Sequence, residues 1–151
     1  MPGGILSFLI FFPIVAGIFI GIASSNNFIR QRIKFFALLF TFIEMILSIL
    51  IYFSFDKQNG GFQFIDYFDA WIPFETFKAQ YLVGIDGLSA PLVLLTGILG
   101  FCAVIASLKI SFREREYFMW LLILQGVVTG VFSSLDMLLL FVFWEAELIP
   151  M

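Results

Sequence analysis

Long runs without a charged residue are the feature that most constrains how this chain can fold. A helix needs about 20 apolar residues to cross about 30 Å of hydrocarbon. Stretches near that length predict membrane spans at about 4–23, 33–53, 88–108, 117–132 and 136–151. Backbone in lipid must pair its own N–H and C=O groups, and a barrel would show alternating hydrophobicity, so we expect five transmembrane helices.

Composition leads to the same class of protein. Apolar residues make up 62% of the 151-residue chain and charged residues 13%, against about 45–50% and about 25% in soluble domains. A chain of this size cannot hide so much apolar surface from water. We therefore predict an all-α integral membrane protein, a single membrane domain over residues 1–151 embedded in the lipid bilayer.

The residue types that are missing limit the chemistry. There is no His, and Cys102 is the single cysteine, which argues against a His-ligated haem or metal, an Fe–S cluster within the chain and a disulfide. No dinucleotide-binding, phosphate-loop or nucleophile-elbow motif occurs, and the net charge of −3 argues against nucleic acid. Proton or ion handling by carboxyl groups remains, or a scaffolding role. Cys102 itself is interpreted as a small buried hydrophobic residue.

The connections between the spans predict the orientation. Basic residues concentrate in the first and third connections, at Arg30, Arg32, Lys34, Lys109, Arg113 and Arg115, the last three beside Glu114 and Glu116. The 54–86 connection carries two lysines against five acids. Because cytoplasmic loops are enriched in Lys and Arg, the amino terminus is predicted outside and the carboxyl terminus inside.

The 54–86 connection is too aromatic for a flexible linker. Gly60-Gly61 indicates a turn, and Phe62-Gln63-Phe64 alternates as a strand does. The aromatic residues that follow suit the membrane–water boundary, where a ring can be dry and its polar tip wet; they are Trp71, Phe74, Phe77 and Tyr81. We expect an ordered external cap of extended or hairpin character.

Carboxyl groups inside the spans are the main candidates for function, because an acid at mid-bilayer costs about 2.5–3.5 kcal/mol on insertion scales. Glu145 lies about 13 Å into the fifth span, where a carboxyl can hold a proton and release it when a cation approaches. Lys34, at the start of the second span, is the one basic residue within a predicted span, so a cationic partner for Glu145 would come from further sequence or another subunit. The alternative is a neutral Glu that bonds across a helix interface.

Three further polar residues are weaker candidates. Glu147 follows Glu145 by two positions, about 200° around the helix, and lies nearer the inner end. Glu44 is central in the second span; Thr41 and Ser48 are candidate hydrogen-bond neighbours, and a structural bond is favoured over a relay role. Gln125, in the fourth span, either bonds across helices or holds a water molecule, and the structural role is again favoured.

Other features predict packing and capping. Gly17-x-x-x-Gly21 and Gly126-x-x-x-Gly130 have the spacing that lets membrane helices approach closely. Asp136 is placed to cap the fifth helix.

Two segments resemble a known family. Tyr81-Leu82-Val83-Gly84-Ile85-Asp86-Gly87-Leu88-Ser89-Ala90-Pro91-Leu92-Val93-Leu94-Leu95 is similar to the Y-x-x-G-x-D-G-[IL]-S-x-P-x-x-L-L stretch before the third helix of chain M of proton-pumping NADH–quinone oxidoreductase, respiratory complex I. Phe143-Trp144-Glu145, followed by Leu148-Ile149-Pro150-Met151, resembles that chain's F-W-E-x-x-L-[IV]-P-M on its fifth helix. The sister chain L usually has W-E-G-x-G there.

The resemblance implies an antiporter-like membrane-arm subunit with fourteen helices and two inverted five-helix repeats, of which this chain would be the amino-terminal part. The family's fifth-helix Glu corresponds to Glu145; there it pairs with a Lys on the seventh helix and gates proton entry. Glu44 and Glu147 are outside the family's familiar pattern.

The resemblance also implies a translocase without redox catalysis on this chain. It places NADH, FMN, Fe–S clusters and quinone in partner subunits and no cofactor on this one. Chains L, N and K-like neighbours are the expected partners, in an energy-transducing membrane such as the bacterial inner membrane. The alternatives are an antiporter-like subunit of Mrp sodium/proton antiporters or membrane-bound hydrogenases, and a purely structural membrane subunit.

Overall fold

The computed structural model describes residues 4–23, 32–56, 61–73 and 78–151. For residues 23, 69–73, 78 and 79 it describes the backbone alone. In chain order its elements are α1 (Ile5–Ala23), α2 (Ile33–Ser54), β1 (Gln63–Pro73), β2 (Lys78–Ile85), α3 (Ser89–Ala106), a 3₁₀ turn (Ser107–Lys109), α4 (Glu114–Ser133) and α5 (Met137–Glu147). Within these residues, helices α1 to α4 are long and apolar enough to cross a membrane. The predicted class, a helical integral membrane protein, is confirmed.

Helix α5 is shorter than the predicted span of 136–151. Its 11 residues cover about 16 Å, and it ends at Glu147. Pro150, three residues further on, has no N–H to donate and disfavours helical backbone at the residue before it. The last turn tightens instead: the Leu148 N–H bonds the Glu145 carbonyl at 3.3 Å, and the Ile149 N–H bonds the Ala146 carbonyl at 3.4 Å.

Glycines allow the close packing of α1 against α4. A Cβ added to Gly17 would lie 2.7 Å from the carbonyl oxygen of Met119, and one added to Gly126 would lie 2.5 Å from that of Ile10. Gly130 similarly receives the ring of Phe143 from α5. Both small-residue motifs thus serve as helix-packing surfaces, as their spacing predicted.

The β-hairpin covers one end of the helical bundle. Strands β1 and β2 pair antiparallel, in agreement with the expected hairpin character. The Leu135 N–H bonds the Leu82 carbonyl at 3.0 Å, and Val83 forms a bridge with Ser134. The hairpin is therefore tied to the turn between α4 and α5. The boundary role predicted for Trp71, Phe74 and Phe77, and the turn at Gly60, lie outside what the structure describes.

Two apolar clusters fill the two ends of the bundle. The hairpin-side cluster consists of Leu6, Leu9, Ile10, Ile51, Val83, Ile85, Ala90, Val93, Val127, Leu139 and Phe143. The basic-side cluster consists of Ala16, Ile20, Ile33, Ala37, Val104, Phe118 and Leu122. Beside the latter, Lys34 forms an ion pair with Glu114 at 3.1 Å. Residues outside both clusters occupy the middle of the bundle.

Candidate functional site

A layer of buried polar side chains lies between the two apolar clusters. On α4, Gln125 stands between Leu122 of the basic-side cluster and Val127 of the hairpin-side cluster. On α2 and α3 the same interval between the clusters also carries buried polar residues. The layer, called here the mid-bundle polar layer, comprises Thr41, Glu44, Ser48, Thr96 and Gln125.

Glu44 is the one acid of this layer. It lies 11 residues after the start of α2 at Ile33 and 10 before its end at Ser54, so it is about 16 Å from the start of the helix. Its side chain is 1% exposed, and neither carboxyl oxygen has a hydrogen-bond partner in the described part of the chain. An unpaired charge is costly in such surroundings. The carboxyl therefore has to bind either a proton or a compensating partner.

The two hydroxyl groups that were predicted to donate hydrogen bonds to Glu44 donate them to other groups. The Thr41 hydroxyl donates to the Ala37 carbonyl and the Ser48 hydroxyl to the Met45 carbonyl, each at 2.9 Å. These are bonds within α2, of the kind that Ser and Thr commonly form inside helices. The expected hydrogen bonds to Glu44 are therefore absent, although each hydroxyl oxygen keeps lone pairs that can accept one.

Gln125 is the second buried group without a partner. Its side chain is 5% exposed, and neither its Oε1 nor its Nε2 atom has a hydrogen-bond partner among the described residues. The expected bond across helices is therefore not formed. Leaving a buried donor or acceptor unpaired costs about 1–3 kcal/mol, so these surroundings favour a bound water molecule.

Small residues on α3 bring the two sides of the layer together. A Cβ on Gly97 would lie 2.2 Å from the Ser48 hydroxyl oxygen, and one on Gly100 would lie 2.1 Å from the amide carbon of Gln125. A groove of about 380 Å³ runs between α3 and α4, and Thr96 and Gln125 are the polar residues among its apolar walls. The glycines thus place Ser48 and Gln125 against one short stretch of α3.

Glu145 lies outside the mid-bundle polar layer. Phe143 turns one face of α5 toward α4, and Glu145, two residues later, is exposed. The described residues offer its carboxyl no hydrogen bond or ion pair. Its exposed neighbours, Phe141 and Trp144, are apolar. Glu147 comes one turn after Phe143 and is half-buried, so the two acids point to different sides, as their spacing predicts.

Asp66 is a buried acid whose role the sequence did not indicate. It is 3% exposed and accepts hydrogen bonds at the start of α1, from the Gly4 N–H, from the Ser7 N–H at 2.8 Å and from the Ser7 hydroxyl at 2.9 Å. The Tyr81 hydroxyl in turn donates to the Ser7 hydroxyl oxygen at 3.0 Å. Burial raises the pKa of Tyr81, so this donor keeps its proton. A β1 residue thus caps α1.

A β-bulge explains the orientation of Asp66. Gln63 pairs with Ile85 and Asp66 with Val83, so three steps along β1 match two along β2. Phe64, within the bulge, has a φ of 55°. One extra residue reverses the side-chain alternation beyond it. Asp66 therefore shares the face of Val83 and Ile85, which is buried.

Asp86 and Ser89 form a reciprocal cap at the start of α3. The Asp86 carboxylate accepts hydrogen bonds from the N–H of Ser89 at 2.7 Å and of Leu88 at 3.0 Å, and the Asp86 N–H donates to the Ser89 hydroxyl at 2.8 Å. These bonds, first of all those from Ser89, lower the pKa of Asp86. The arrangement is that of a capping box. Capping of α3 therefore explains the D-G-L-S part of the segment that resembles chain M.

Two smaller expectations have different outcomes. Asp136 caps α5, accepting from the N–H groups of Leu138 at 2.9 Å and Leu139 at 3.0 Å, as predicted. Cys102 is exposed, so its prediction as a buried residue is wrong; Val104, two positions along α3, is the one that faces the core.

Among the described residues no group of three His, Cys, Asp or Glu side chains could hold a metal ion.

Comparison with known proteins gives consistent sequence matches. Over 146 residues, 96% of this chain, it is 34% identical to NAD(P)H-quinone oxidoreductase chain 4 of Acaryochloris marina and covers 27% of that protein. The chloroplastic chain 4 of Chara vulgaris is 34% identical and 29% covered; chain 4-2 of Synechocystis is 33% identical and 25% covered. The chain thus spans about a quarter of the length of these relatives. No family profile matches it.

Comparison with solved structures supports the fold. A chain of the membrane-bound sulfane sulfur reductase, an archaeal respiratory membrane complex, superimposes with a TM-score of 0.77 at 20% sequence identity. The superposition covers 98% of this chain and 29% of that one. The structural likeness establishes a shared architecture, and the sequence matches establish the relationship. The resemblance is thereby confirmed as a similarity: over 96% of its length the chain is similar in sequence to NAD(P)H-quinone oxidoreductase chain 4.

Proposed function

We propose that this chain forms part of an antiporter-like, proton-translocating membrane-arm subunit of an NADH–quinone oxidoreductase. The observation that carries the proposal is the similarity to NAD(P)H-quinone oxidoreductase chain 4 over 96% of the chain. Because the chain spans about a quarter of those relatives, the activity is that of the longer protein. In this proposal the described bundle supplies one section of its proton path.

The proposal divides the chemistry among subunits. NADH oxidation with FMN and Fe–S clusters, and the reduction of quinone, take place on partner subunits. The proposed neighbours of this subunit in the membrane arm are chain L, chain N and a chain that resembles chain K. The proposed location is the bacterial inner membrane. It responds to electron transfer through changes in charge and hydration, and its own carboxyl groups bind and release protons.

Glu145 is the proposed translocating group. Its carboxyl projects from an apolar, exposed face of α5 and has no partner within the described residues. We propose that another part of the longer subunit covers this face and brings a lysine to Glu145, as the resemblance implies. When the ammonium group approaches, the carboxylate form is stabilised and the proton leaves; when it withdraws, the proton returns.

The test replaces Glu145 with Gln in the full-length subunit within the assembled complex. Gln keeps the shape and hydrogen bonding of Glu but cannot ionise. We expect normal assembly and a collapse of proton pumping and coupled turnover, measured together with electron transfer from donor to quinone. Glu147→Gln is the matched control, because that carboxyl is close in sequence but points to another side. Equal pumping in Glu145→Gln and wild type, in a correctly assembled complex, would show that Glu145 is structural.

Co-purification separates this function from its runner-up. The proposal requires the full-length subunit to copurify with flavin-containing and Fe–S subunits. Copurification with Mrp-type antiporter subunits alone would assign it to a sodium/proton antiporter.

A further inference from the structure

The mid-bundle polar layer lies apart from Glu145 and needs its own explanation. Its members lie in the middle of the bundle, between the two apolar clusters. A buried acid at this position does not stabilise the packing of a membrane helix. Glu44 and Gln125 together present four buried oxygen and nitrogen atoms without a hydrogen-bond partner in the described part of the chain. Buried polar groups in native proteins are nearly always satisfied by protein or by ordered water.

Water is the ligand that fits these groups. A buried water molecule typically makes about three hydrogen bonds. The Thr41 and Ser48 hydroxyls each donate a hydrogen bond to a carbonyl of α2, so their oxygens can each accept one bond from a water molecule beside Glu44. On the other side Gln125 offers both a donor and an acceptor.

The groove between α3 and α4 comes close to the layer. Gln125 and Thr96 are the polar residues among the walls of the groove between α3 and α4, and Gly100 lies directly against the Gln125 amide. Gly97, one turn away on α3, touches Ser48, which lies one turn from Glu44 on α2. Residues without side chains therefore separate the groove from the Glu44 side of the layer.

The charge environment suits a reversible proton site. The sequence of α1 and α3 contains no charged residue, and the charged residues of α4 are confined to its first turn at Glu114, Arg115 and Glu116. On α2 itself the other charged residue is Lys34, ten positions before Glu44. No fixed counter-charge of these helices therefore holds Glu44 in its ionised form.

We propose that Glu44 is a second proton-binding group, hydrated through Gln125 and the groove between α3 and α4. The carboxyl O–H bond breaks as a proton passes to a water molecule, which leaves a carboxylate stabilised by the remaining water. The reverse transfer restores the acid. This inference rests on the proposed function only for its purpose, and the site itself is testable without measuring pumping.

The experiment is infrared difference spectroscopy of the assembled complex containing the full-length subunit. In wild type we expect a C=O stretching band of a buried carboxylic acid that changes on turnover and shifts when H₂O is replaced by D₂O. Glu44→Gln should lose this band, and Glu147→Gln, the matched control, should keep it. Gln125→Leu should keep the band but slow its shift in D₂O several-fold, because the route for water has lost its polar wall.

The contrary outcomes are equally definite. A wild-type band unaffected by Glu44→Gln, or a D₂O shift equally fast in Gln125→Leu, would overturn the proposal and identify the layer as dry packing. If Glu44→Gln does not assemble, Glu44→Asp moves the acid one methylene back and must displace the band in frequency; an undisplaced band refutes the assignment. Loss of pumping in Glu145→Gln together with an absent Glu44 band would reject this site and leave the proposed function intact.

Discussion

The capping of α1 by Asp66 gives the prediction that is easiest to quantify. Its carboxylate is 3% exposed and accepts hydrogen bonds from the Gly4 N–H, the Ser7 N–H and the Ser7 hydroxyl. Asp66→Asn removes the charge and replaces one acceptor oxygen with a donor. A hydrogen bond to a charged group contributes about 1.5–3 kcal/mol and the interaction with the helix dipole about 0.3–1 kcal/mol, so we expect local opening to become easier by about 2–4 kcal/mol.

Hydrogen–deuterium exchange of the assembled complex measures this effect. Since 1.4 kcal/mol corresponds to a factor of ten, the Ser7 amide should exchange about 30-fold to several hundred-fold faster in Asp66→Asn. Amides of β1 should also exchange faster, because the same contact holds the hairpin against α1. The global melting temperature of the complex should change less than this local rate.

Asp136→Asn is the matched control, since Asp136 also caps a helix at the hairpin end, through Leu138 and Leu139. It should accelerate exchange at the start of α5 and leave Ser7 as in wild type. If Asp66→Asn leaves the Ser7 amide exchanging at the wild-type rate, the carboxylate does not anchor the hairpin to α1, and the energetic argument is wrong.

Two further predictions concern the cap of α3 and the contact between α1 and α4. Hydrogen bonds from Ser89 lower the pKa of Asp86. Its contribution to stability is therefore present above the ordinary pKa of Asp, about 3.9, and is lost as the pH falls through the lowered value. Protection of the Ser89 amide, measured as its exchange rate relative to an unfolded peptide at the same pH, should fall there, and Asp86→Asn should show that loss already at neutral pH. Gly126→Ala should destabilise the folded subunit by about 1–3 kcal/mol, because the new Cβ would lie 2.5 Å from the Ile10 carbonyl oxygen. The control is Gly87→Ala, since a Cβ at Gly87 meets nothing within 4 Å. Equal melting midpoints for the two variants would contradict the packing argument.

Features determined by local sequence could be predicted from the sequence. Uncharged runs of sufficient length gave α1 to α4, and the positions of Asp136 and of the paired glycines gave a cap and two packing surfaces. Each of these depends on residues a few positions apart, or on the average property of one segment. The same local reasoning did not predict that α5 ends at Glu147, before the end of the hydrophobic run.

Features determined by distant contacts could not be predicted in this way. Asp66 meets Ser7 across 59 residues, and its orientation depends on a bulge that breaks the alternation a strand would otherwise show. Glu44 and Glu145 are both acids in apolar runs, yet one is buried and the other exposed. Which side of a helix meets a neighbour depends on how the helices pack, and sequence periodicity was too weak to settle it.

Seven of the 11 acidic residues of this chain form two groups with different surroundings. At the hairpin end, α1, α3 and α5 all begin, and each presents N–H groups that a carboxylate satisfies: Asp66, Asp86 and Asp136 respectively. At the basic end α4 begins, which accounts for Glu114 and Glu116 in its first turn among cations, since negative charge is favourable at a helix start. Each of these carboxylates accepts hydrogen bonds from helix N–H groups or forms an ion pair. Glu44 and Glu145 have no such partner in the described part of the chain, so the two proposals place reversible proton transfer at these two acids and not at the helix caps.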